Sequence, residues 1–81
     1  MNTPENIEQN VTRAELDELR AAAKRFLRAE ANMRDALQRA GHYSNPRTVG
    51  FNLESAARYT AEAAEAVNAY DVAGNLLRAK L

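Results

Sequence analysis

The stretch TRAELDELRAAAKRFLRAEANMRDALQRA, residues 12–40, decides the fold. It carries a heptad stripe of Leu16, Leu19, Ala23, Phe26, Glu30, Met33, Leu37 and Ala40. Steps of three and four residues put these side chains on one face of a helix. A second stretch, LESAARYTAEAAEAVNAYDVAGNLLRAKL, residues 53–81, carries a matching stripe. It runs Leu53, Ala56, Thr60, Ala63, Val67, Tyr70, Gly74, Leu77 and Leu81. Folded back antiparallel, the stripes pair in layers: Leu16 with Leu77, Leu19 with Gly74, Ala23 with Tyr70, Phe26 with Val67, and Leu37 with Ala56. Several layers set a bulky residue against a small one, which lets two helices approach without voids. The sequence therefore predicts an all-α, Ala-rich, coiled-coil-like antiparallel two-helix hairpin.

Boundary signals divide the chain into a flexible tail, 1–10, and one domain, 11–81. Thr12 and Glu15 have capping-box spacing, and Val11 and Leu16 stand at the positions of a hydrophobic staple. The first helix is expected over about 12–40, ending at Gly41, where a left-handed residue would close it. Residues 41–52 form the connection. Asn45 before Pro46 is one possible start of the second helix; Asn52 is preferred, because Gly50 favours a break. The second helix is expected over about 53–80. Glu30–Arg34, Asp35–Arg39 and Glu54–Arg58 have the acid-before-base spacing of helix-surface pairs.

Composition excludes several function classes. Basic and acidic residues both number 11, so the net charge is zero. That balance argues against an electrostatically driven nucleic-acid binder and against a membrane-surface peptide. No apolar run reaches membrane-spanning length. The start of the sequence lacks signal-peptide features, so a cytoplasmic protein is expected. With no Cys there is no disulfide framework or thiol nucleophile. The abundance of Ala and of Arg over Lys suggests a GC-rich bacterial or phage source.

Catalytic chemistry finds little to work with. The one His, His42, falls in the connection with no carboxylate near it in sequence. Glu62 and Glu65 lack the His that a carboxylate metal site in a bundle takes from an i,i+3 partner. No enzyme activity, cofactor or metal is expected. Glu30 interrupts the core stripe and reads as a residue that fixes register, with Arg34 in reach. Arg20, Lys24, Arg25 and Arg28 cluster in sequence, but Phe26, the one aromatic residue among them, belongs to the core stripe, so none is left for base stacking.

Two sets of residues fall outside the predicted seam. At the loop end, Arg39, His42, Tyr43, Arg47, Phe51 and Tyr59 combine aromatic and Arg side chains, the composition of binding hot spots. The competing reading is that Tyr43 and Phe51 fold back and plug the end of the hairpin. Elsewhere Ala22, Ala29, Ala36, Leu27, Val72 and Leu76 point away from the stripes. One hairpin cannot bury them, so they are expected to form an oligomer interface, most simply in a dimeric four-helix bundle.

Ser44-Asn45-Pro46, Tyr59-Thr60, Asp71-Val72 and Leu76-Leu77 resemble elements of type III secretion needle subunits, also short helical hairpins with a Pro-containing turn. The Tyr59-to-Asp71 interval is about a turn shorter here, and the last helix is Ala-rich where that of needles is polar, so the chain is not assigned to that family. The expected function is that of a non-enzymatic interaction module, an adaptor or inhibitor whose partners are itself and another protein. A filament or secretion-apparatus subunit is the second reading. An oligomer holding a small ligand or nucleotide between subunits is the third.

Overall fold

A computed structural model describes residues 12–81 as two helices, α1 (Arg13–Tyr43) and α2 (Leu53–Lys80), packed antiparallel. There is no strand among the described residues. The tail expected over 1–10, and Val11 of the staple, lie outside them.

α1 begins as its sequence dictates. The Glu15 N–H donates to Thr12 Oγ1 at 3.1 Å, and the Glu15 carboxylate accepts from the Thr12 N–H at 3.5 Å. Both bonds satisfy N–H groups that the helix itself leaves without partners. The expected stop at Gly41 is wrong: α1 continues to Tyr43. Gly41 does not take the left-handed conformation; among the described residues only Gly50 has positive φ, at 85°. The Ser44 N–H donates to the Ala40 carbonyl at 3.0 Å, and Thr48 Oγ1 donates to the His42 carbonyl at 2.7 Å. These bonds, and the packing of Tyr43, offset the roughly 1 kcal/mol that glycine costs in a helix.

The connection is a chain of tight turns. Asn45 Oδ1 accepts from the Arg47 N–H at 3.0 Å across Pro46, so Asn45 directs a turn instead of capping a helix. The Thr48 N–H returns to the Asn45 carbonyl at 3.0 Å, and the Phe51 N–H to the Thr48 carbonyl at 3.1 Å. Asn52 then caps α2, its Oδ1 accepting from the Ser55 N–H at 2.7 Å.

The seam is rotated relative to the predicted one. Ala22 and Ala36 are buried and Ala29 is half-buried, while Leu16 and Leu37 are exposed. On α2, Ala63, Ala73 and Gly74 are buried and Tyr59 and Ala66 half-buried, while Leu53, Thr60 and Val67 are exposed. The register also differs: Phe26 lies against Tyr70, with ring centroids 5.1 Å apart, and against Gly74, not opposite Val67. Lys80 reaches Glu18 at 3.3 Å. Aromatic geometry explains the choice. The rotated seam takes in Phe26, Tyr43, Tyr59 and Tyr70, whereas the Leu stripe holds only Phe26 and Tyr70. Aromatic side chains carry the largest apolar areas and gain further from ring contact. Alanines between them let the backbones come close enough to make those contacts.

Surface charge follows the spacing in two of three pairs. Glu30–Arg34 meet at 3.6 Å and Asp35–Arg39 at 2.5 Å. Glu30 therefore sits at the seam's edge with its charge paired. Arg58 turns from Glu54 to Tyr59, donating to its hydroxyl at 3.0 Å with the guanidinium carbon 4.8 Å from the ring centre.

Candidate interaction surfaces

The loop end joins three elements. The C-terminal turn of α1 supplies Arg39, His42 and Tyr43, the turns supply Arg47 and Phe51, and the second turn of α2 supplies Tyr59. The structure brings His42, Tyr43 and Tyr59 into one aromatic column. The Tyr43 and Tyr59 rings stack at 4.5 Å with their planes 17° apart, and the His42 ring meets Tyr43 edge-on at 4.9 Å. Arg58 closes the column over Tyr59, whose hydroxyl, accepting its hydrogen bond, holds the guanidinium still more firmly protonated. Tyr43, Phe51 and Tyr59 are half-buried. Tyr43 and Tyr59 thus close the hairpin end.

What remains exposed on this platform is His42, Arg47 and two aliphatic residues, Val49 and Leu53. Arg39 is exposed too, its charge engaged by Asp35. The sequence reading missed Val49, which is 98% exposed, and took Leu53 for the seam. Val49 had a signal: it is apolar, it belongs to neither heptad stripe, and it precedes a Gly. The left-handed Gly50 turns the chain there and leaves Val49 pointing into solvent.

The six residues expected at an oligomer interface separate into three places. Ala22, Ala29 and Ala36 belong to the hairpin's own seam; their placement outside it is corrected by the rotation of α1. Leu27 lies on one broad face of the hairpin. Val72 and Leu76 lie on the other, beside an open groove of about 550 Å³ floored by Ala29, Ala66, Ala69 and Ala73. Arg25 and Arg28 form one bank of that groove, Glu62 and Glu65 the other. The sequence-level basic cluster is therefore divided. Arg20 approaches Asp17 at 4.0 Å, while Lys24, Arg25 and Arg28 line a second open groove together with Glu18, Leu76 and Lys80.

Among the described residues no group of three or more His, Asp or Glu stands close enough to hold a metal ion, and no helix is long and apolar enough to cross a membrane. Comparison with protein-family profiles, curated proteins and solved structures finds no match to this chain.

Proposed function

We propose that this chain is a non-enzymatic protein–protein interaction module of the cytoplasm, an adaptor or inhibitor that binds a protein partner through its loop end. We propose also that its hairpins pair into a dimeric four-helix bundle. One observation carries the reading of the loop end: Val49 and Leu53 stand bare in solvent beside Arg47 and His42, on turns fixed by hydrogen bonds and a Tyr–Tyr stack. Aliphatic residues left out on a rigid platform, next to an Arg, suit a small apolar anchor with a charged rim. Fixing the turns in advance lowers the ordering entropy that binding costs.

The test is capture by the immobilised full chain from an extract of its native host. The wild type should retain a specific protein that an Arg47→Ala/Val49→Ser variant releases, with unchanged helicity and melting temperature. Equal capture by both proteins rejects the loop end as the binding surface.

A further inference from the structure

We infer that the face bearing Leu16, Leu27, Leu37, Val67 and Leu81 packs against the same face of a second copy of this chain, about a two-fold axis running along the helices. This rests on the self-association proposed above and names its surface and symmetry.

The hairpin's own seam is built from alanines and aromatic rings, and no large side chain is fully buried in it. The large aliphatic residues left over are not scattered. Leu16 and Leu37 share one heptad position on α1, with Leu27 beside it, and Val67 on α2 and Leu81 at its end share the corresponding position. All flank the seam on the same side, with exposures from 37% at Val67 to 85% at Leu81. Arg20 and Arg34 share the heptad position of Leu27, and Glu30 that of Leu16 and Leu37, so charged groups interrupt these rows. Exposed aliphatic rows edged by charge mark an interface. Among the described residues the opposite face offers only Val72 and Leu76 as large exposed aliphatic residues, and charged banks edge its groove.

Size and complementarity select a second copy as the occupant. α1 has 31 residues. At about 1.5 Å per residue and about 10 Å across each helix, two helices present a face of roughly 900 Å². A stable interface takes about 800 Å² from each partner. The Glu18–Lys80 pair places Leu16 level with Leu81, and the Tyr43–Tyr59 stack places Leu37 level with the stretch holding Ala57, Thr60 and Ala64. A two-fold axis along the helices keeps these levels and lays α1 of one copy over α2 of the other. Leu16 then meets Leu81, and Leu37 enters the space above small residues. An axis across the helices would instead lay α1 on α1 and put the two loop ends at opposite ends of the bundle.

The axis along the helices also brings both loop ends to one end of the bundle. Because the sequence has no Cys, a Val49→Cys variant takes a nitroxide label at one defined exposed site. Light scattering of the full chain at micromolar concentration should give twice the 9.0 kDa chain mass. Leu27→Glu/Leu37→Glu should give the single-chain mass with helicity retained, and Val72→Glu/Leu76→Glu should keep the dimer mass. Should the Glu variant lose helicity, Leu27→Ala/Leu37→Ala serves, with a dimer Kd raised at least tenfold. The two labels should lie closer together than the roughly 46 Å length of α1. A dimer that survives the Leu27/Leu37 changes, or dissociates with the Val72/Leu76 changes, overturns the face while leaving self-association standing. Label separations beyond that helix length overturn the axis. A monomeric wild type overturns this inference and the four-helix bundle together, and leaves the loop-end reading untouched.

Discussion

Phe26 rests on the bare backbone of Gly74: a methyl group added there would sit 3.4 Å from Phe26 Cε1. That is ordinary contact, with no backbone atom in the way, and the helix runs through Gly74 without a left-handed residue. Gly74→Ala should therefore stabilise the fold by about 0.5–1 kcal/mol, the gain in helix propensity. Gly74→Leu adds three more carbons against the Phe26 ring and should cost about 1–3 kcal/mol by overpacking. Urea unfolding at fixed protein concentration checks both signs. A stabilised Leu variant would place Phe26 elsewhere.

The loop end separates support from recognition, and the two respond differently to substitution. Tyr43 stacks on Tyr59 and carries the His42 edge contact, so Tyr43→Ala should cost about 1–2 kcal/mol. In a domain of this size that lowers Tm by roughly 4–8 °C per kcal/mol. Tyr43→Phe keeps the stack and should melt like the wild type. Arg47 contributes only its backbone N–H to the turn, so Arg47→Ala should leave Tm within about 1 °C. Equal losses in Tyr43→Ala and Arg47→Ala, read by calorimetry, would show that the two residues belong to one structural unit.

The hairpin was legible because its ends are chemically marked: Thr12 with Glu15, and Asn52 before Leu53, start helices where their side chains can accept backbone N–H groups. The middle of the seam was legible, since Leu19, Phe26, Met33, Ala63, Tyr70 and Leu77 stand in the predicted stripes and are buried or half-buried. Its flank was not, because the chain carries two overlapping stripes one heptad position apart. Leu16, Leu37, Leu53 and Val67 make the more hydrophobic stripe; Ala22, Ala29, Ala36 and Ala73 make the one that lets aromatic rings meet. Hydrophobicity counted residue by residue favours the first. Ring contact and close backbone approach, which depend on both helices at once, select the second. The end of α1 was hidden for a similar reason. Gly41 carries a stop signal, and the packing of Tyr43 against Tyr59 of α2 overrides it. At the loop end the aromatic residues were legible as a group, whereas their division into a buried stack and an exposed rim depends on turn geometry around Gly50.

The two helix caps sit at opposite ends of the hairpin and should act independently. Thr12→Ala removes the acceptor for the Glu15 N–H, and Asn52→Ala removes the acceptor for the Ser55 N–H. Each should cost about 1 kcal/mol. No partner is shared, so the double variant should lose about 2 kcal/mol, the sum within roughly 0.5 kcal/mol. Asn52→Asp keeps an acceptor and adds negative charge at the helix N-terminus, so it should match or exceed the wild type. A double variant losing far more than the sum, measured by chemical unfolding, would couple the two ends and contradict the independence of their contacts.

Gly41 and Gly50 form a controlled comparison, because open space surrounds both: a methyl group added at either meets nothing within 4 Å. Packing cannot distinguish them, so any difference must come from the backbone. Gly41 lies within α1 with helical φ, where alanine is favoured by about 0.5–1 kcal/mol and also restricts the unfolded chain. Gly50 has φ of 85°, where a Cβ clashes with its own carbonyl and costs roughly 1–2 kcal/mol. The Phe51 N–H bond to Thr48 and the Asn52 cap both depend on the turn that Gly50 makes. Gly41→Ala should therefore raise Tm by several degrees, and Gly50→Ala should lower it by a comparable amount. Hydrogen exchange supplies a second reading. Protection should fall at Phe51 and Ser55 in Gly50→Ala and should not fall at Ser44 in Gly41→Ala. If Gly41→Ala destabilises instead, α1 does not carry its helical conformation through to Tyr43, and the Tyr43–Tyr59 stack loses the helix that positions it.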